Sequence, residues 1–423
     1  MTRLAETQLA GEAVCLRHEA NFSVPAAIAG HFFCDKREVD SVEVQVFACI
    51  MFVSLMATAV VGNGVVMWII YKHKVMHHGF NFFLFNMAFA DLMIAVFNVG
   101  TTWTYNLYHD WWYGDICILT SFFGIAPTTV SVFSMMALSW DRCQAVVWPL
   151  RKRPLSRRRS LIAIAIIWTI STATALPFAF AATVRELYLF IVVSKKASIR
   201  HTCAAPAHPM FDHLLFLIQY ALPLFVLSFT FARIAWAFFL FFFTSTDVAS
   251  GTHSKASNHM RAKSKAVKML ALMVITFMFC WLPYHLYHTF ELNSLMEFEN
   301  PNIGKYIYLG IYWVAMSSSA YNPIIYCFAN ERFRIGFRYV FRWLPMIHCQ
   351  REEYEYSELF PEKLRSMAIT LQLNKASRND SKKSPKTYDS AGFTRPFNVV
   401  ADKQRIRTAN SSSRTNLTAG DDI

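Results

Sequence analysis

Several things are scarce in this chain of 423 residues, and each scarcity removes a class of protein. Charged residues are only 16%, against about a quarter in soluble domains. With 54% hydrophobic residues, the composition excludes a disordered chain and points away from a purely soluble one. Nine cysteines are too sparse for a disulfide scaffold. No period recurs, which excludes collagen, coiled coils and repeat arrays. No phosphate-cradling glycine loop, H-E-x-x-H or nucleophile elbow is present, so no enzyme is expected. Met1–Asp40 lacks a basic start followed by an apolar run, so no signal peptide is expected either.

What is abundant is apolar sequence in long blocks. A membrane-spanning helix needs about 20 mostly apolar residues. Seven candidate spans meet that need: Val44–Tyr71, Phe80–Thr104, Gly114–Val147, Ser160–Thr183, Phe211–Phe243, Val267–Phe290 and Tyr306–Phe328. The expected fold is therefore an all-α membrane protein, a seven-transmembrane helix bundle over residues 44–328. A large buried core is the bland alternative, but core helices seldom reach this length repeatedly.

The net charge is +13, from 41 Lys and Arg against 28 Asp and Glu. Nucleic-acid binding and the positive-inside bias of membrane proteins both produce such a surplus. Location decides. Lys72 and Lys74 follow span one, Arg151, Lys152, Arg153, Arg157, Arg158 and Arg159 follow span three, and Lys255, Arg261, Lys263 and Lys265 precede span six. All lie on one side. The loop after span two has neither Lys nor Arg, although Arg185, Lys195, Lys196 and Arg200 follow span four. The balance places the N-terminus outside and the C-terminus inside, at the plasma membrane, and leaves no role for nucleic acid. Residues 1–43 are then an extracellular tail.

Asn21-Phe22-Ser23 is a glycosylation sequon on the expected outer side, while matching triplets at Asn379, Asn410 and Asn416 fall inside and are read as chance. Phe333, Phe337, Val340 and Phe341 recur at helical spacing among Arg332, Arg334, Arg338 and Arg342. That pattern predicts a short amphipathic helix on the lipid surface over 329–345. Cys349 just beyond it is a candidate for palmitoylation, against the simpler reading of a free thiol. Residues 346–423 read as a disordered cytoplasmic tail, polar throughout, with Ser377, Ser381, Ser384, Ser390, Ser411, Ser412, Ser413 and Thr415 as phosphoacceptors.

Polar residues inside apolar spans are costly, so they carry the functional hypotheses. Asp91 lies in mid-span two, with Asn63, Ser131, Ser318, Ser319 and Asn322 as polar candidates in other spans. A carboxylate among hydroxyl and amide oxygens can hold Na⁺ or share a proton, so Asp91, Ser131 and Asn322 form a candidate sodium site. The competing reading is that these groups only tie helices together, at roughly 0.6–2 kcal/mol each. Pro283 in FCWLPYH and Pro323 in NPIIY should each kink a helix beside bulky aromatics, a joint suited to a conformational switch. Asp141-Arg142 closes span three as a lock or an interface anchor. His285 and His288 share a face of span six, and His201, Cys203, His208 and His213 cluster after span four. Neither group has the ligand set of a metal site, so no cofactor beyond Na⁺ is expected. Cys117 and Cys203 both fall on the oxidising side and could be bridged, as could Cys15 and Cys34.

Taken together, Asn63, Asp91, Cys117, Asp141-Arg142, Trp168, Pro223, Cys280-Trp281-Leu282-Pro283 and Asn322-Pro323-Ile324-Ile325-Tyr326 resemble a rhodopsin-class G-protein-coupled receptor. IYLGIYWVAMSSSAYNPIIYCFANERFRIGF, FCWLPYHLY and HDWWYG are similar to the tachykinin (neurokinin) receptors, and departures suggest an invertebrate member. The resemblance implies a pocket for an amidated neuropeptide. Asn98, His285 and Tyr308 keep the family's pocket residues, whereas Thr102, Phe178, Asp212, His288 and Tyr312 occupy pocket positions with different ones. It implies a switch of Asp141, Arg142, Trp281, Pro283, Asn322, Pro323 and Tyr326, a heterotrimeric G protein of the Gq type, calcium release, and receptor kinases and arrestin at the tail. Cys143 and Phe231 depart from the Tyr residues usual at those positions. A receptor for another amidated peptide, of the neuropeptide Y, RYamide or luqin type, is the nearest alternative. A multi-pass transporter is the alternative from another class, although no inverted repeat with paired broken helices is visible.

Overall fold

The structure is a computed structural model that describes residues 3–16, 23–35, 40–148, 156–192, 194–204, 209–246, 253–290 and 301–361. The sequon at Asn21, the basic residues Arg151, Lys152 and Arg153, the acidic Glu291, Glu297 and Glu299, and the phosphoacceptors of the tail lie outside the described residues.

A chain in lipid must pair its own backbone N–H and C=O groups, and the helix does this within one segment. Among the described residues, seven long helices result. Span one is Val42–Lys72, span two Gly79–Tyr108, span three Gly114–Val147, span four Arg157–Ala181, span five Met210–Leu240 and span six His253–Thr289. Each of these is long and apolar enough to cross a membrane, span six over its Ala266–Thr289 part. Span seven, Pro301–Ala329, equals them in length but carries Ser317, Ser318, Ser319 and Asn322 on its inward side, all buried. Span six begins well before the expected Val267. The polar stretch preceding it continues the same helix, because a helix can run on past the apolar layer that the hydropathy reading detects.

Spans two and three are central, with 61% and 50% of their apolar stretches buried, whereas spans one and four are peripheral at 17% each. Apolar side chains on the outer faces, such as Phe225 and Phe279, are exposed and suited to lipid. Inside, polar side chains join the helices. Asn86 donates to Ser134 Oγ at 2.9 Å and accepts from Trp168 Nε1 at 2.8 Å, tying spans two, three and four. Asn63 donates to the Ser319 carbonyl at 2.9 Å, tying spans one and seven. Gly62 makes that second contact close: a Cβ there would sit 2.9 Å from Pro323 Cβ.

One element was not anticipated by the all-α reading. The basic segment after span four is a hairpin, β2 (Thr183–Ile191) paired antiparallel with β3 (Lys196–Ala204). β1 (Phe32–Asp35) joins β2 in parallel, giving the order β1-β2-β3. Alternating residues in a solvated loop gave too weak a signal beside the apolar spans. The sheet is pinned twice. Cys117–Cys203 ties β3 to the start of span three, and Cys15–Cys34 closes the N-terminal segment, so both bridges left open by the sequence are formed. Arg3, on the short helix Arg3–Ala10, reaches Glu186 Oε2 and Tyr188 on β2 at 2.8 Å each. At the junction with the bundle, Lys305 pairs with Asp40 at 2.6 Å.

At the opposite end, Asn330 caps the amphipathic helix Glu331–Val340, its side chain accepting from the Arg332 amide at 3.1 Å. Phe333 is buried from that helix against Tyr326, with ring centroids 5.5 Å apart. The tail expected to be disordered from residue 346 is folded as far as it is described. A helical turn at Arg351–Glu355 leads to Tyr354 and Leu359, both buried. Two apolar anchors within ten residues escape a reading that looks for long stripes. Cys349 is half-buried, its Sγ 3.8 Å from the Gln350 carbonyl.

The Gly62–Pro323 contact yields a paired prediction. Gly62→Val should lower the apparent melting temperature of purified protein, at an overpacking cost of about 1–3 kcal/mol. Gly64→Ala, where a Cβ meets nothing within 4 Å, should leave it unchanged. Equal melting of both variants would show that spans one and seven do not depend on this approach.

Candidate functional site

The end of the bundle that carries the sheet holds a cluster of imidazoles and phenols. His285 and His288 are three residues apart on span six and so share a face. His285 is 3% exposed, wedged among Phe216 and Tyr220 of span five and Trp281 and Tyr284 of its own helix, with centroids 5.2–6.0 Å away. His288 lies 4.5 Å from the Tyr284 ring and 5.9 Å from that of Tyr308. The Nε2 atoms of both histidines are buried without a hydrogen-bond partner among the described residues. Buried polar atoms are rarely left so in a native protein unless water or a ligand completes them. Asp212, half-buried in the first turn of Pro209–Phe216, is near enough to His288 to interact electrostatically.

On the facing side, Tyr312 donates to Asn98 Oδ1 at 2.9 Å, and Asn98 donates to the Thr120 carbonyl at 3.2 Å. Asn98 sits in a π-helical turn, Ile94–Val99, a local widening that often marks functional sites. Gly124 permits the approach, since a Cβ there would be 2.8 Å from Asn98 Nδ2. The Thr102 hydroxyl also faces the Tyr312 phenol. Tyr308 stacks near Tyr312 at 6.3 Å and is tilted against Tyr287 at 5.2 Å. The resemblance-derived pocket residues Asn98, Thr102, Asp212, His285, His288, Tyr308 and Tyr312 therefore line one region. Phe178 joins its edge through Phe211 at 5.1 Å.

A second polar cluster lies deeper. Asp91 is 2% exposed. Asn322 donates to its Oδ2 at 2.8 Å, and Ser319 and Ser131 donate to Oδ1 at 3.2 and 3.4 Å. The small cavity beside it, about 10 Å³, has room for one water-sized occupant and is also lined by Thr128, Trp281 and Ser318. Trp281 Nε1 donates to Ser318 Oγ at 3.0 Å. The indole thus touches the deep cluster with its nitrogen and the histidine cluster with its ring. Pro283 and Pro323 lie within spans six and seven beside it. Tyr326 is fully buried and its hydroxyl has no partner among the described residues.

Near the far end of span three, the Arg142 guanidinium bonds Asp141 Oδ2 through Nε at 3.1 Å and through a terminal nitrogen at 2.5 Å. Its charge also lies 4.3 Å from the Phe80 ring centre. This pair is partly exposed and stands apart from both buried clusters. Cys143 is buried beside Ile234 and Val267, and Phe231 packs against the same group, so both unusual residues fill apolar space between spans three, five and six.

Gln219 and Tyr220 were missed by the sequence reading. Gln219 donates to Thr129 Oγ1 at 2.9 Å, and Tyr220 donates to the Met278 carbonyl at 3.2 Å while its ring backs His285. An amide in an otherwise apolar span is a signal that could have found Gln219. Tyr220 offered none.

The family model for the seven-transmembrane receptors of the rhodopsin family matches residues 62–326. The chain belongs to the rhodopsin family. It is 66% identical over 362 residues to a protein named probable G-protein coupled receptor tkr-1 from Caenorhabditis elegans, covering 86% of this chain and 87% of that one. It is 37% identical to the substance-P receptor of Aquarana catesbeiana, covering 74% and 73%, and 32% identical to the neuromedin-K receptor of Cavia porcellus, covering 85% and 82%. The protein is thus a G-protein-coupled receptor of the tachykinin-receptor type, a multi-pass plasma-membrane protein and not an enzyme. Arg142, Trp281, Pro283 and Asn322 all fall inside the matched stretch of the receptor.

The indole link gives a test. Ser318→Ala leaves the buried Trp281 N–H unpaired, at a cost of about 1–3 kcal/mol. The purified receptor should melt a few degrees lower. An unchanged melting curve would show that the indole finds another acceptor.

Proposed function

We propose that the receptor binds an amidated, tachykinin-like neuropeptide at the histidine–tyrosine cluster, with its N-terminus and sheet outside the cell. The observation that carries this reading is the pair of buried Nε2 atoms of His285 and His288, set in an aromatic cage and without a partner among the described residues. A carboxamide offers both donors and acceptors to such nitrogens, and the Tyr308 and Tyr312 rings offer apolar area with a polar tip. The names of the relatives, substance-P and neuromedin-K receptors, support a peptide of this class. Asp110, Asp115 and Asp212 give the mouth acidic character, which speeds the approach of a basic peptide. A receptor for another amidated peptide is the second reading, favoured by Thr102, Asp212, His288 and Tyr312, which differ from the family's pocket residues.

Binding favours one state of a bistable bundle. Ligand at His285 pushes on Trp281, span six pivots at Pro283, and the far ends of spans three and six separate. Arg142 then leaves Asp141 and meets a heterotrimeric G protein of the Gq type, which releases calcium. Asn322, Pro323 and Tyr326 supply the matching joint in span seven. Basic loops on that side suit anionic lipid. Glycosylation at Asn21, palmitoylation at Cys349, and phosphorylation of the tail with arrestin recruitment complete the reading.

Calcium release in cells expressing the receptor tests it. A panel of amidated peptides should include one that acts below micromolar, and His285→Ala should weaken it by about tenfold or more. Arg142→Ala should bind the peptide and release no calcium. Surface-expressed receptor silent to the whole panel would sink the ligand reading, and calcium release by Arg142→Ala would refute the role of Arg142.

We also propose that Asp91, Ser131 and Asn322, with Ser319, hold a sodium ion. An oxygen-rich set around one carboxylate suits a hard cation, and the cavity beside it has the size for one occupant. Bound there, the ion neutralises the carboxylate and favours the closed bundle. Sodium in place of choline should raise the melting temperature of the wild-type receptor, and Asp91→Asn should abolish that rise. A sodium effect that persists in Asp91→Asn places the ion elsewhere.

A further inference from the structure

The segment after the amphipathic helix carries a feature that peptide binding and the switch do not use. Residues 350–361 fold back against the helix Glu331–Val340 and the turn after span one. Tyr354 stacks on Tyr339 with centroids 3.6 Å apart and planes at 8°. Its hydroxyl lies 2.6 Å from His73 Nε2. Phe360 sets its ring edge-on to His73 at 5.2 Å and to Tyr354 at 5.4 Å. Leu359 is 1% exposed. Burial pushes the His73 imidazole below its ordinary value, while a hydrogen bond with the Leu359 backbone acts the other way.

The ion pairs that tie it are weak. Arg332–Glu358 and Arg338–Glu353 span 3.7 and 3.9 Å with side chains near half exposure, where solvent screens them. No side chain caps the turn Arg351–Glu355. A short strap anchored chiefly by Tyr354 and Leu359 is the kind of segment that opens locally ahead of the bundle.

What the strap holds is Tyr356-Ser357-Glu358-Leu359. A tyrosine followed three residues later by a large aliphatic, in extended backbone, is the chemistry read by endocytic adaptor domains. They take such a peptide as an added strand, with one pocket for the phenol and one for the aliphatic chain. Neither requirement is met while the strap is docked. Leu359 is buried, and the backbone is wound into turns in which the Tyr356 amide bonds Glu352, that of Ser357 bonds Tyr354, and that of Phe360 bonds Ser357, at 3.0–3.2 Å.

We propose that residues 350–361 form a docked strap that conceals a Tyr356–Leu359 adaptor-binding peptide, and that its release presents this peptide to a clathrin-adaptor-type domain. The strap lies at the end of the bundle opposite the sheet, so the inference rests on the orientation proposed above. Leu359 serves both states, buried in the docked strap and offered to the reader on release, whereas His73 and Tyr354 hold the strap without belonging to the recognised peptide.

The test follows internalisation of full-length receptor without peptide, by an antibody against an N-terminal tag on unpermeabilised cells. Absence of label with normal expression would count against the orientation, separately from the strap. Tyr354→Ala and His73→Ala should each raise the internalisation rate severalfold by shifting the strap toward its open state. Adding Tyr356→Ala to either should restore the wild-type rate. No rise in surface-expressed single variants, or a rise that survives Tyr356→Ala, overturns the proposal. A binding measurement stands beside it. Purified His73→Ala receptor should bind the purified medium subunit of the clathrin adaptor more tightly than wild type does, and lose that binding with Leu359→Ala. Equal binding by wild type and His73→Ala would show that the strap conceals nothing.

Discussion

A carboxylate buried in an apolar bundle has to be satisfied from within the bundle, and the centre of this receptor is arranged around that need. Asp91 draws one hydrogen bond from span three and two from span seven. The desolvation cost of a charge at that depth is large unless it is paired or bonded. Spans two, three and seven must therefore stay close enough to serve one side chain. The small cavity next to it lies where these three helices meet span six at Thr276 and Trp281.

The same arrangement couples distant parts. Ser318 lies one residue before Ser319, so the turn that serves Asp91 also accepts the indole N–H of Trp281. The indole ring in turn contacts His285. A movement at the imidazole cluster cannot leave the deep cluster undisturbed, because one rigid aromatic side chain belongs to both. Pro283 lies two residues beyond the indole, where the helix lacks one backbone hydrogen bond and bends most easily. This gives the proposed switch a physical route that does not depend on the identity of the peptide.

Much of the site was legible because its residues violate the rule of their surroundings. Asp91, Asn322, His285 and the two prolines are conspicuous in apolar helices, and the first three sit in polar or aromatic clusters. Tyr220 and Tyr312 were less readable from chemistry alone, since aromatics are ordinary in such spans. Tyr312 entered through family resemblance, and Tyr220 through neither route. The hairpin and the strap escaped for a related reason. Their stabilising side chains are few and isolated, such as Cys203 on β3 and Tyr354 with Leu359 beyond the amphipathic helix, whereas hydropathy responds to long uniform runs.

The sequence by itself determined the number of spans, the class and the family, because lipid leaves a chain few choices: about 20 apolar residues must be helical, and the polar exceptions must face inward. Only the tertiary structure decided which exceptions meet. Helical periodicity places Asn98 and Tyr312 on faces of separate spans, but the hydrogen bond between them depends on a π-helical turn and on a glycine in a third helix. It decided that both bridges form, that two buried imidazole nitrogens meet no partner among the described residues, and that a stretch read as tail folds back on His73. Those outcomes are set by contacts between residues far apart in the chain, and no local pattern carries that information.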